Sequence, residues 1–285
     1  MTSPYADVIG DPIAQSKSPA IHNFWLGKLG IDAQYRACLV KSDGLADYLA
    51  QRRGDPHWRG CNVTMPHKQA VMPLLDAIAP DAFRIGAVNT VVRGSDGALT
   101  GLNTDAAGFL EPLSEALARP HLYRMARILG AGGAARAIVA ALAAQGFTIV
   151  LAARDPAKAR ALLNELAPGP DNHAVDIAHF APETDFAFDD RAGLLDLVVN
   201  ASPLGMAGQP PLRFDFSHAP PGALIYDIVT HPLVTPFLIE AQQRGFATID
   251  GLAMLIGQAA VAFEQFFGQP APREFDAELR ALLTA

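Results

Sequence analysis

The chain has 285 residues, of which half are hydrophobic and 18% are charged, a composition typical of folded globular proteins. Its formal net charge of -7 gives no general attraction to nucleic acid or to an anionic membrane, because both reward clustered lysine and arginine. Cys38 and Cys61 are the only cysteines and lack the spacing of metal ligands or of a disulfide framework. We expect no metal, nucleic acid or membrane partner.

The N-terminal residues contain no basic segment followed by an apolar core, so we expect no signal or transit peptide and a cytoplasmic location. No apolar run reaches the length needed to span a membrane. The chain is longer than most single domains, which predicts two domains with separate cores.

Strand-like and helical patterns alternate from the start of the chain. Strands are predicted at 5–9, 34–39 and 58–63, with helices at 19–29 and 45–52 between them. This alternation favours βαβ units and a mainly parallel sheet. A hairpin is predicted next, because 88–93 and 98–101 flank a Gly-Ser-Asp-Gly turn, and the first sheet then ends near residue 104.

A second alternating series follows one helix predicted over 105–118, which Pro120 would end. Residues 126–130 predict a strand, 133–145 an Ala-rich helix and 147–153 the next strand, which together form one Rossmann-type unit. Short apolar runs at 195–200 and 223–229 are typical of buried parallel strands, whereas 181–193 allow no assignment. Two final helices are predicted at 252–267 and 273–283.

The segment Asn-Val-Thr-Met-Pro-His-Lys, 62–68, and the segment Asn-Thr-Asp, 103–105, suggest a two-residue catalytic site. Taken singly, Lys68 fits a solvated surface lysine and Asp105 fits a helix N-cap. Together they suit the reduction of a carbonyl, which needs a proton donor at the developing alkoxide. His67 is interpreted as a neighbour of the active lysine without a direct role.

A glycine-rich turn, 130–135, lies between a predicted strand and a predicted helix. Its glycines would let the backbone approach a pyrophosphate at the helix N-terminus, although such a turn can also merely join strand to helix. At the end of the next strand, Ala153 precedes Arg154, which favours NADP because an arginine accommodates the 2′-phosphate. Asp155 would either repel that phosphate or cap the next helix, so NAD is retained as an alternative.

Ser16 and Ser18 fit either a polar turn or an anion site for a small carboxylate at a helix N-terminus. Neutral hydrogen-bonding side chains elsewhere match a polyhydroxylated substrate: Asn62, Thr64, Asn89 and Gln258.

These motifs, in the order SKSP, NVTMPHK, GAVNT, NTD, GAGGAA, NASPLGM, YDIV and DGLAMLIGQAA, closely resemble the shikimate dehydrogenase family, from about Asp7 to Phe267. The resemblance implies reversible reduction of 3-dehydroshikimate to shikimate with NADPH, on the route to chorismate and aromatic amino acids. It also implies an α/β fold of two domains, a mainly parallel substrate domain at 1–104 and a Rossmann-type NADP-binding domain at 105–251. Residues 252–285 are then expected to return to the first domain, leaving a cleft that closes over the reactants.

By the same resemblance, Lys68 and Asp105 are the catalytic pair, Ser16 and Ser18 contact the substrate carboxylate, and Thr230 lies near the substrate. The implied hydroxyl contacts are Thr64, Asn89 and Gln258. The implied cofactor contacts are Gly130, Ala131, Gly132, Gly133, Ala134, Arg154, Ser202, Ile228 and Gly251.

Three positions depart from the family pattern. Thr230 stands where the family usually has Tyr, which removes a ring and a phenol and predicts a raised Michaelis constant. Ala153-Arg154-Asp155 replaces the common Asn-Arg-Thr, and Gln15 replaces a frequent His with little expected consequence.

Two other interpretations of the chain remain open at this stage. One is a quinate/shikimate or aminoshikimate dehydrogenase that uses NAD or NADP, although Ser18 favours shikimate. The other is a non-catalytic nicotinamide-binding protein. We expect a small-molecule substrate, and a monomer or homodimer.

Overall fold

The computed structural model describes residues 3–186, 188 and 193–284. These residues form two compact units. The first comprises the residues up to Gly108 together with those from Ile256 onward, and the second comprises Phe109–Leu255. The predicted two-domain α/β fold, with C-terminal helices that return to the first domain, is confirmed.

The first unit is built on a six-stranded mixed sheet in the order β2-β1-β3-β5-β6-β4. Strand β1 pairs in parallel with β2 and β3, and β5 pairs antiparallel with β3 and β6, so the predicted hairpin is confirmed. The two-residue strand β4, which pairs with β6, gave no detectable periodicity in the sequence. The elements are β1 (Tyr5–Gly10), α1 (Ser18–Leu29), β2 (Gln34–Leu39), α2 (Leu45–Arg53), β3 (Trp58–Val63), β4 (Ala77–Ile78), α3 (Pro80–Ile85), β5 (Thr90–Arg93), β6 (Leu99–Leu102) and α4 (Asp105–Leu110).

The prediction of a single helix over 105–118 is wrong. Helix α4 stops at Leu110, a 3₁₀ turn covers Glu111–Leu113, and a short helix, α5 (Ser114–Ala118), follows. Pro112 lies in the turn and has no N–H to donate to the carbonyl four residues earlier, so a continuous α-helix cannot pass through it.

The second unit contains a fully parallel sheet in the order β12-β11-β10-β7-β8-β9. Counted from β7, this is the 3-2-1-4-5-6 strand order of the dinucleotide-binding fold, with its reversal between β7 and β10. Residues 187 and 189–192, part of the segment 181–193 that received no assignment, lie outside the described residues. The elements after α5 are β7 (Tyr123–Leu129), α6 (Gly133–Ala144), β8 (Thr148–Ala153), α7 (Pro156–Leu166), β9 (His173–Asp176), β10 (Leu194–Asn200), β11 (Leu224–Asp227), α8 (Pro236–Gln243) and β12 (Ala247–Ile249).

Two helices complete the chain: α9 (Gly251–Phe267) and α10 (Asp276–Thr284). In the first unit, Ala262 and Phe266 of α9 pack on Ala6 and Val8 of β1 and on Tyr35 of β2. This apolar contact explains why the C-terminal part of the chain folds with the first unit and brings Gln258 there. No helix in the described part of the chain is long and apolar enough to span a bilayer.

Candidate active site

Lys68 and Asp105 form an ion pair in the first unit. Lys68 Nζ donates to Asp105 Oδ2 at 2.5 Å, and the two side chains are only 14% and 6% exposed. A lysine on the solvated surface would not be enclosed in this way. Because the pair is largely removed from water, its charges interact more strongly than an exposed pair would.

The turn that follows β3 places Lys68. His67 is buried and its Nε2 lies 2.7 Å from the backbone oxygen of Val40, which fixes the turn to the segment after β2. The Lys68 carbonyl accepts from the Val88 N–H at 2.8 Å, which ties the same turn to the segment before β5. His67 therefore has an anchoring position, consistent with the interpretation that it takes no part in proton transfer.

Asp105 begins α4, but its carboxylate does not serve as the helix cap. The Asp105 N–H donates to Asn103 Oδ1 at 3.0 Å, while Asp105 Oδ1 accepts from Asn89 Nδ2 at 2.9 Å. Asn103 is fixed in turn by donating to the Ala87 carbonyl. Both Asp105 oxygens thus have partners, one on Lys68 and one on Asn89.

Asn89 connects the pair to the other predicted substrate contacts. Its Nδ2 donates to Thr104 Oγ1 at 2.9 Å, and Thr104 Oγ1 lies 3.3 Å from Gln258 Oε1. Lys68, Asp105, Asn89 and Gln258, which are widely separated in sequence, therefore form one connected group. The sequence did not single out Thr104, whose only sign was its place in the Asn-Thr-Asp motif.

The remaining predicted substrate contacts of the first unit lie at the start of α1 and directly after β3. Ser16 Oγ accepts from the Ser18 N–H at 3.3 Å, just before α1, and the Thr64 N–H donates to the Ile9 carbonyl at 2.9 Å. A Cβ at Gly10 would lie only 2.5 Å from Thr64 Cγ2. Gly10 therefore lets Thr64 approach β1, a role that a glycine at a strand end could have signalled.

The glycine-rich turn after β7 has the features of a phosphate cradle. Gly130 has φ of +123°, and a Cβ there would lie 2.6 Å from the Ala201 carbonyl oxygen, so only glycine fits. The 12-residue helix α6 starts at Gly133 without a side-chain cap and without an acidic residue in its first turn. Its first N–H groups and its dipole therefore suit the pyrophosphate of a dinucleotide, together with Ala131, Gly132 and Ala134 of the same turn.

The structure shows one of the two roles considered for Asp155, the helix cap. Its Oδ1 accepts from the N–H groups of Ala157 and Lys158 at 3.0 and 3.3 Å, so Asp155 caps α7. Arg154 is exposed at the end of β8, and Lys158 is exposed on the first turn of α7. Lys158, four residues after Arg154, is a further exposed cation that the sequence analysis did not consider.

A buried hydrogen-bond network holds the loops that carry Ser202, Ile228 and Thr230. Asn200, at the end of β10, accepts from the Ser202 N–H and hydroxyl and donates to Asp227 Oδ1 at 2.9 Å. Asp227 also accepts from the Val229 N–H at 3.0 Å and from Thr235 Oγ1 at 2.7 Å, and Thr235 caps α8.

Gly251 and Ile228 meet through their backbones. A Cβ at Gly251 would lie within 2.5 Å of the carbonyl oxygens of Ile228 and Val229, so a larger residue would displace this loop. The Ile228 N–H donates to the Asn200 carbonyl at 3.1 Å. Thr230 follows, half-buried.

Burial raises the pKa of Asp227 to about 6, although its three hydrogen bonds oppose that shift. Because the native pKa lies above the unfolded value of about 4, the native state binds the extra proton between those two pH values. The contribution of Asp227 to the free energy of unfolding therefore falls as pH rises from about 4 to about 6. Above that window the contribution is constant.

We predict that Asp227→Asn removes this titration. The difference in unfolding free energy between variant and wild type should shift in favour of the variant by about 2 kcal/mol between pH 4.5 and 7.5. Urea unfolding across that range measures it. Asp215→Asn is the control, because hydrogen bonds from Ser217 lower the pKa of Asp215 and its titration lies below the window. A pH-independent difference for Asp227→Asn would contradict the prediction.

Comparison with known proteins identifies the family. Residues 8–91 match the shikimate dehydrogenase substrate binding domain, and residues 251–276 match the shikimate 5′-dehydrogenase C-terminal domain. The shikimate dehydrogenase (NADP(+)) of Sphingopyxis alaskensis is 53% identical over 284 residues, which cover 99% of this chain and 98% of that protein.

Solved structures agree with the sequence matches. Shikimate 5-dehydrogenase from Thermus thermophilus, in complex with NADP(H) and shikimate, has a TM-score of 0.80 and 34% identity, covering 98% of this chain and 99% of that one. Quinate dehydrogenase from Corynebacterium glutamicum, in complex with NAD, has a TM-score of 0.80 and 31% identity, covering 98% and 99%. The chain belongs to the shikimate dehydrogenase family.

Proposed function

We propose that the protein is an NADP-dependent shikimate dehydrogenase that reversibly reduces 3-dehydroshikimate to shikimate, on the route to chorismate and aromatic amino acids. The observation that carries this proposal is the enclosed Lys68–Asp105 pair, joined through Asn89 to the amide of Gln258. Full-length similarity to enzymes of that name supports it. The cytoplasmic location and the monomeric or homodimeric state stay predictions.

The pair suits proton transfer to a reduced carbonyl. When the carbonyl carbon gains hydride, its oxygen must gain a proton, and we assign that transfer to Lys68 Nζ with Asp105 Oδ2 as its partner. Asp105 holds the ammonium group in place, and Asn89 holds Asp105. In the reverse direction the same pair accepts the hydroxyl proton.

The surrounding polar groups suit a ring that carries one carboxylate and several hydroxyls. We assign the carboxylate to Ser16 and Ser18 at the start of α1, where hydroxyl donors and the helix N-terminus favour an anion. The ring hydroxyls are assigned to Thr64, Asn89 and Gln258, whose neutral side chains both donate and accept. Asn62 is left out, because the resemblance to the family implies no substrate contact for it; its side chain bonds to Tyr35 and Thr90.

The second unit is assigned to the cofactor, which supplies the hydride when bound. Gly130–Ala134 would receive the pyrophosphate, and Arg154 with Lys158 would receive the 2′-phosphate that distinguishes NADP from NAD. Ser202, Ile228 and Gly251 would line the nicotinamide end, at the carboxyl edge of the parallel strands where dinucleotides bind. Asp155 poses little obstacle, because its carboxylate faces the N–H groups of α7.

Quinate dehydrogenase is the alternative that a specific observation favours, because a structural neighbour of that name contains NAD. Initial rates of NADP and NAD reduction with shikimate and with quinate separate the two functions. We expect rapid turnover only with shikimate and NADP. Preferred turnover of quinate, or of NAD, would place the chain with the quinate enzymes, and absence of turnover with all four pairs would refute the proposal.

We predict that Arg154→Ala lowers the preference for NADP over NAD by about 10-fold or more, because a charge-assisted contact to phosphate is worth about 1.5 to 3 kcal/mol. The ratio of kcat/KM for the two cofactors measures the preference. Arg160→Ala is the matched control, since Arg160 is an exposed arginine of α7, the helix that follows Arg154, and its guanidinium donates to the Asn172 carbonyl. An unchanged ratio in Arg154→Ala would make Arg154 a bystander.

We predict that Thr230→Tyr lowers the Michaelis constant for shikimate by up to about 10-fold, since one added hydrogen bond contributes about 0.5 to 1.5 kcal/mol. Thr230→Phe is the matched control, because it adds the ring without the phenol and should recover less of the effect. If Thr230→Tyr leaves the Michaelis constant unchanged, the departure at this position has another explanation.

A further inference from the structure

A row of buried polar side chains extends away from Asn89 into the first unit. Tyr35 hydroxyl donates to Asn62 Oδ1 at 2.5 Å, Asn62 Nδ2 donates to Thr90 Oγ1 at 2.9 Å, and Thr90 Oγ1 donates to Asn89 Oδ1 at 2.9 Å. Asn89 in turn donates to Asp105. We call these three residues, Tyr35, Asn62 and Thr90, the polar row.

The strand register explains how the row forms. Asn62 of β3 lies opposite Thr90 of β5, and Tyr35 of β2 lies opposite Ala6 of β1, which lies opposite Gly60 of β3. These residues share one face of the sheet, because side chains alternate along each strand. Ala6 and Gly60 are small, so the Tyr35 ring can cross β1 and reach Asn62.

The Tyr35 ring is fixed by aromatic packing. It stacks on the buried ring of His22 with centroids 3.9 Å apart and planes 2° apart, and it also contacts Phe266 of α9. Burial lowers the pKa of His22 to about 3, so this ring is neutral at physiological pH and adds no charge to the row. The phenol is therefore held with its hydroxyl directed at Asn62.

The direction of every bond in the row is determined by Thr104. The Thr104 backbone N–H donates to Asn89 Oδ1 at 2.8 Å, and a backbone N–H is only a donor, so the oxygen of the Asn89 amide must face it. The amide nitrogen must then face Asp105 and Thr104 Oγ1. Each member donates toward Asn89, so the bonds polarise one another in the sense that stabilises the carboxylate.

Packing alone does not account for polar side chains at these positions. Apolar residues of similar shape at the three sites would need no hydrogen-bond partners, whereas each polar group must be fully satisfied to be tolerated in a core. The row satisfies its members only by ending on Asn89, which contacts Asp105. This arrangement indicates a role at the site beyond core packing.

We propose that Tyr35, Asn62 and Thr90 are positioning residues that hold the Asn89 amide against Asp105 and so set the place where Asp105 meets Lys68. This inference rests on the proposed function, because it deepens the role of the same pair. It assigns the row no contact with substrate.

The test compares variants that remove one hydroxyl each. Tyr35→Phe and Thr90→Val should lower kcat for shikimate oxidation about 10-fold, since small misplacement of a reacting group slows the chemical step. The Michaelis constant should change less than kcat, because Asn89 is the one assigned substrate contact that the row holds directly. Thr90→Ser retains the hydroxyl and should restore at least about half of the wild-type kcat. If Thr90→Val does not fold, the kcat of Tyr35→Phe tests the same proposal, because this variant keeps the ring and its packing.

Tyr48→Phe is the matched control. Tyr48 is a buried tyrosine of the same unit, and its hydroxyl donates to Asp7 Oδ2 at 2.7 Å. Asp7 alternates with Ala6 and Val8 along β1, so this bond lies on the opposite face of the sheet. Tyr48→Phe should lower the melting temperature without lowering kcat. Equal behaviour of Tyr35→Phe and Tyr48→Phe, with kcat retained in both, would overturn the proposal and leave the row a packing feature.

A second measurement separates this inference from the proposed function. The side-chain NH₂ signals of Asn89, assigned by their loss in Asn89→Asp, should shift in Tyr35→Phe, three hydrogen bonds away, and stay in place in Tyr48→Phe. If the wild type turned over none of the tested substrates, the proposed function would fail while these signals still decided the positioning claim. Signals unmoved by Tyr35→Phe would overturn it.

Discussion

The first unit is organised around a charge pair that water does not surround. Removing a lysine and a carboxylate from water costs several kcal/mol per ion, and their attraction offsets that cost only when the remaining hydrogen-bonding positions are filled. Here Asp105 Oδ1 is filled by Asn89, and Asn89 is itself held by Thr104 and Thr90. The pair therefore depends on neighbours that come from separate parts of the chain: the turn after β3, the start of β5 and the start of α4.

In the second unit, close backbone contacts and a buried hydrogen-bond network hold the loops in place. Its parallel strands end together, and the loops that leave them must stay in place while exposing N–H groups to a ligand. Gly130 and Gly251 allow backbones to approach more closely than any side chain would permit, and the Asn200–Asp227–Thr235 network holds the ends of β10 and β11 beneath their loops. Asp227 accepts the hydrogen bonds of this network while buried, and burial raises its pKa.

Much of this architecture could be predicted from local patterns. Alternating apolar periods predicted the two α/β units, and the motifs around Lys68, Asp105 and Gly130 predicted where polar groups gather, since both signals lie within short stretches of sequence. The break at Pro112 was not predicted, because the apolar pattern continues through this residue and suggested one helix despite the missing proline N–H. Strand β4 was not predicted, because two residues are too few to show the alternating pattern of a strand.

Side-chain orientation could not be predicted in the same way. Whether Asp155 caps α7 could not be predicted, because only the positions of the Ala157 and Lys158 N–H groups show it. Asn62 was grouped with candidate substrate contacts, yet Tyr35 and Thr90 occupy its amide. The partners of a side chain such as Asn62 depend on the register between strands that are distant in sequence. Local sequence patterns carry no information about that register.

The central claim is that Lys68 and Asp105 act as one unit, and a double-mutant cycle tests it most directly. The kcat/KM for shikimate with NADP would be measured for Lys68→Met, Asp105→Asn and the double variant, with folding checked by thermal unfolding. If the two residues work only together, each single variant loses about 100-fold or more and the double variant is about as slow as the slower single one. Losses that multiply in the double variant would mean that the two side chains act independently and would contradict the account.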